Sequence, residues 1–108
     1  MIVRIWRTQI DAERVDEYES FAQEQSLPMF RLQRGFLGVV FAGTAADRAV
    51  ITFWEDDEAV AELERSPSYR ETVERIVATG LLSGEQSVEL LRSHGDAVLP
   101  QRTQDTDS

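Results

Sequence analysis

The sequence predicts an α+β fold in which a four-stranded antiparallel sheet carries its helices on one face. Three observations lead there. Short runs rich in β-branched and aromatic residues recur as IVRIW, FLGVVF, AVITFW and SVELL. Helical periodicity follows the first and third of them. The 108 residues, 42% of them hydrophobic, suit a single domain with its own core.

In the first strand Ile2, Val3, Ile5 and Trp6 place apolar side chains on both parities, interrupted by Arg4 and Arg7. Such a strand is expected to be covered on both faces, its arginines reaching an edge, a cavity or a partner. Asp11 is the expected N-cap of a helix over 12–25, with Ile10 stapling onto Val15 and with Val15, Tyr18, Phe21 and Ala22 inward. Leu27-Pro28 is expected to interrupt that helix and Pro28 to open a fresh turn that Gly35 ends. Residues 36–41 form the second strand, 42–48 a hairpin loop and 49–54 the third strand. Asp56 or Asp57 then caps a short helix with Ala59, Val60 and Leu63 inward. Ser66-Pro67 starts the next one, in which Tyr69, Val73, Ile76 and Val77 share a face, and Gly80 stops it. After a connector over 81–86, residues 87–91 make the fourth strand. Strand, helix, strand, strand, helix, strand is the split βαβ arrangement of ferredoxin-like folds. Residues 1–92 are the expected domain and 93–108 a polar tail, in which only Ala97, Val98 and Leu99 would dock on anything.

Helices on one side leave the other side of the sheet bare. Burying that side against a second copy predicts a homodimer.

Composition narrows the chemistry. A net charge of -9 disfavours nucleic acid, whose phosphates need Lys and Arg. No run approaches the length of a membrane helix, and the charged start MIVRIWRTQ reads as a strand of a cytoplasmic protein rather than a signal. Without cysteine there are no disulfides, thiolate nucleophiles or Cys-type zinc sites. One histidine, His94, cannot build a Ser-His-Asp relay or a multi-histidine metal site, so no metal is expected.

The stretches VRIWRT, RGFLGVVF and ITFWEDDEAVAEL followed by SPSYRETV resemble antibiotic biosynthesis monooxygenase (ABM) domains of the dimeric α/β-barrel superfamily. The resemblance covers residues 2–91 and implies that two ferredoxin-like sheets pair as one dimeric α/β barrel. Haem-degrading members of that family hold iron through a histidine on the helix after the third strand, with an asparagine on the first strand and a second tryptophan. Here residues 69–79 contain no histidine, the first strand offers Trp6, Arg7 and Thr8, and Leu63 stands near the place of that tryptophan. The resemblance therefore implies the cofactor-independent branch, in which a small aromatic or quinol-type substrate itself reduces oxygen and no cofactor is needed. Non-catalytic small-molecule binding or assembly on the same scaffold is the alternative.

For that chemistry the sequence offers Trp6, Tyr18, Phe36 and Trp54 as walls of an apolar substrate site, with Tyr69 and Arg7 as catalytic candidates and Arg31 and Arg34 as further polar groups. Each has an ordinary structural use beside the functional one. Trp54 at a strand end is a core anchor in most proteins. Tyr69 suits an amphipathic first turn, Arg4 and Arg7 suit ion pairs across a subunit boundary, and Arg31 and Arg34 offset a helix dipole. The acidic outer face of the first helix is a solvated surface, and His94 is expected to be exposed.

Overall fold

The computed structural model describes residues 1–95. Strands β1 (Ile2–Gln9), β2 (Phe36–Gly43), β3 (Asp47–Trp54) and β4 (Ser87–Arg92) form one antiparallel sheet in the order β2-β3-β1-β4. Helices α1 (Val15–Phe21), α2 (Leu27–Arg31), α3 (Asp57–Arg65) and α4 (Pro67–Ala78) connect them. This is the ferredoxin-like topology the element order predicts.

Strand parity decides which side chains meet the helices. Ile2, Arg4, Trp6 and Thr8 stand opposite Trp54, Thr52, Val50 and Arg48 on one face. Val3 and Ile5 stand opposite Phe53 and Ile51 on the other. On the helix face Ile2, Met29, Phe30, Val50, Trp54, Ala59, Val60 and Leu63 pack into one buried cluster. Ile10, Tyr18, Ile76 and Leu81 make a second, against which Val15 and Phe21 pack.

Trp54 is fully buried, its ring edge-on to Phe30 and Phe36 and its indole N–H donating to Thr52 Oγ1 at 2.7 Å. A bulge in β2 shapes this corner. Phe36 faces Trp54 and Gly38 faces Phe53, so Leu37 has no cross-strand partner of its own.

Caps form where the sequence places them. Asp11 accepts from the Glu13 N–H, Asp56 from Ala59 and Ser66 from Tyr69. Gly35 adopts φ 82° under α3, where a Cβ would collide with Ala59.

Several expectations need correction. The helix is not broken at Leu27-Pro28: Leu27 keeps helical angles, φ -61° and ψ -49°. A π-helical turn over Ala22–Ser26 precedes Pro28, and this wider loop of backbone takes up the ring and the missing N–H. The hairpin loop is shorter than 42–48, because β2 runs to Gly43 and β3 starts at Asp47, closed by Thr44 N–H donating to the Asp47 carbonyl at 2.8 Å. Val77 is exposed while Thr72 is buried in its stead, since the apolar stripe of α4 drifts with the 3.6-residue period. Ala97, Val98 and Leu99 lie outside the described residues.

Candidate functional site

Between the sheet and the helices lies an apolar hollow, walled by Trp6, Phe41 and Val50 from the sheet, by Tyr18, Phe21 and Met29 from α1 and α2, and by Tyr69, Thr72 and Ile76 from α4. Mouth included, it spans about 480 Å³, but a water-sized sphere has only about 50 Å³ to move in. A ring-shaped ligand therefore enters only as side chains shift.

Arg4 sits in this lining at 4% exposure. Its parity with Ile2 and Trp6 turns it toward the helices. Nη2 donates to the Tyr69 hydroxyl at 2.9 Å, Nε approaches Glu64 Oε2 at 3.3 Å, and the guanidinium carbon lies 5.2 Å from the centre of the Tyr69 ring. Both of these Arg4 partners belong to this chain, one on α3 and one on α4.

Tyr18 is buried to 4% exposure, and among the described residues no side chain or carbonyl hydrogen-bonds its hydroxyl. Burial pushes its phenol above the usual tyrosine value, and the nearby Arg48 cation works in the opposite direction. Arg48 stacks on the ring at 5.3 Å and pairs with Glu19 at 3.2 Å. At neutral pH Tyr18 keeps its proton. The Thr72 hydroxyl is already committed, donating to the Ser68 carbonyl at 2.8 Å.

Of the residues singled out from sequence, Trp6, Tyr18 and Tyr69 meet in the hollow. Phe36 and Trp54 stand outside its lining, in the adjoining core cluster. Arg7 lies on the opposite face of the sheet, where it pairs with Glu89 of the neighbouring strand at 2.9 Å. That pair also lies within one chain, on an exposed surface. Arg34 makes a two-pronged pair with Glu62 on α3 and holds that carboxyl below its usual range. His94 is exposed. Sequence reasoning left Arg4 out of the site, although its even spacing from Ile2 and Trp6 was the available signal.

Among the described residues no group of three or more His, Cys, Asp or Glu could hold a metal ion, and no helix is long and apolar enough to cross a membrane.

The family model of antibiotic biosynthesis monooxygenases matches residues 1–75. The chain belongs to this family. ABM proteins of known structure share its fold. A monooxygenase of Streptomyces coelicolor, ActVA-Orf6 in complex with nanaomycin D, superposes with a TM-score of 0.75 at 18% identity, over 93% of this chain and 92% of that one. SnoaB, a cofactor-independent oxygenase of Streptomyces nogalater, gives 0.72 at 17% identity over 93% and 97%. A Nitrosomonas europaea protein of unknown function, NE2512, gives 0.75 at 14% identity over 94% and 95%. Identities this low carry the fold and not the reaction. Among curated proteins none matches this chain.

Proposed function

We propose that this ABM protein is a cofactor-independent monooxygenase of a small aromatic or quinol-type substrate, working as a homodimer. The observation that supports it is the apolar hollow with Tyr69 and a buried cation in its wall, in a chain of this family. An electron-rich phenol or anthrone needs little else. It loses a proton, passes electrons to oxygen, keeps one oxygen atom as a new carbonyl and releases the other as water, so the substrate itself is the reductant. The protein excludes bulk water and handles the proton. Trp6 and Phe41 flank the rings, and the Tyr69 hydroxyl relays the proton, giving up its own as it receives the substrate's.

Dimerisation is supported by the face opposite the helices. Val3, Ile5, Ile51 and Phe53 are only half buried there, with Val40 and Leu91 exposed beside them.

Purified protein supplied with anthrones or hydroquinones in air is expected to consume oxygen. Tyr69→Phe should lower kcat at least tenfold, the usual scale for a removed proton-transfer group being about 10²–10⁴. No uptake across such a panel would overturn the oxygenase reading. The narrowness of the hollow favours a second reading, non-catalytic binding of a small molecule or assembly of larger proteins on the same scaffold. Ligand binding without oxygen uptake would select it.

A further inference from the structure

We propose that Arg4 and Tyr69 together clamp an ionised oxygen on the ligand. The inference rests on the reading of the hollow as a substrate site, and it adds the charge of the substrate and the two groups that recognise it.

Arg4 is a cation in an apolar wall, 4% exposed. Among the described residues its one carboxylate neighbour is a poor match: Glu64 is reached at 3.3 Å through Nε alone and is itself 46% exposed, where water weakens the attraction. A guanidinium carries five N–H groups. Here one faces Glu64 and one faces Tyr69, and among the described residues nothing accepts from the others. A buried charge with unused donors is costly to keep unless an anion completes it.

The direction of the Arg4–Tyr69 bond matters as much as its length. Because Nη2 donates and the phenolic oxygen accepts, the Tyr69 proton is turned away from the guanidinium. No described residue accepts that proton. Stacking of the guanidinium on the Tyr69 ring at 5.2 Å holds the two groups side by side. Free N–H from Arg4 and O–H from Tyr69 are thus two neighbouring donors in a water-poor wall, the arrangement that favours an oxyanion over a neutral carbonyl. A phenolate, an enolate or an aromatic carboxylate would fit. The rest of the lining is apolar and takes the ring.

The test is calorimetric binding of benzoate, para-nitrophenolate and uncharged benzamide to the whole protein. Both anions, or the phenolate alone, are expected to bind roughly tenfold or more tighter than the amide, the scale of one charge-assisted hydrogen bond. The stronger anion names the oxygen. Arg4→Gln should erase the preference, Tyr69→Phe should weaken the anions by a larger factor than benzamide, and Glu64→Gln should tighten them by removing a competing carboxylate. Equal binding of anions and amide, no binding of any probe, or an unchanged preference in folded Arg4→Gln overturns the clamp. Should Arg4→Gln fail to fold, Tyr69→Phe and Glu64→Gln decide, and no change in either overturns it. Oxygen uptake is read separately. Uptake without anion preference removes the clamp and leaves the oxygenase, whereas preference without uptake does the reverse.

Discussion

At Tyr18 a phenol lies buried beside the Arg48 guanidinium, and its two surroundings pull its ionisation in opposite directions, with burial the larger. A folded-state value above the ordinary 10.0 means that the stabilisation is complete below pH 10.0 and fades as pH rises through the folded value. Urea melts from neutral pH into this alkaline range should show a falling midpoint, and Tyr18→Phe should flatten that fall. An equally steep fall in the variant would mean that another group carries it. Such burial was readable from helical spacing, since Tyr18 shares a face with Val15 and Ala22. The partners of Arg4 were not. They lie 60 and 65 residues away, and only the meeting of β1 with α3 and α4 brings them together.

Among the elements, the strands and caps were legible because each depends on residues within a few positions of itself. Ser66-Pro67 starts α4, and Asp56 of the two aspartates weighed caps α3. Leu27-Pro28 misled for a physical reason. Proline disfavours helical angles before it, yet a π turn supplies the extra residue that lets the chain pass, and this turn carries no local sequence signature. Its packing does explain it. With the turn in place, Met29 and Phe30 are both buried against the sheet cluster. A similar limit applied to the hairpin, where small residues at 42–46 suited either loop or strand.

For the molecule as a whole, the order of strands and helices located the helices on one side of the sheet and an apolar surface on the other, and parity in the structure identifies that surface as Val3, Ile5, Ile51 and Phe53. Its proposed use as a contact between copies is open to direct measurement. Sedimentation of the native chain at micromolar concentration should give a dimer, and Ile51→Glu, which sets a carboxylate in the middle of that surface, should give a folded monomer. A native chain that sediments as a monomer would remove the barrel pairing. The site was only partly legible at this scale, because sequence names residue types whereas the face each one joins is set by register. Arg4 and Arg7 are both arginines of β1, and the odd spacing between them sends one into the hollow and the other to the surface.

The bulge at Leu37 carries a consequence for chain length. A regular pleat turns every second side chain the same way, so Phe36 and Phe41, five apart, could not both look inward without one supernumerary residue. Remove Leu37 and Phe36 falls two positions before Val39, which already looks inward, so the pairing of β2 with β3 becomes one to one from Trp54 onward. Excising this leucine is expected to leave a folded chain whose melting midpoint stays within a few degrees of the parent, and a loss of cooperative melting would show that the bulge itself is required.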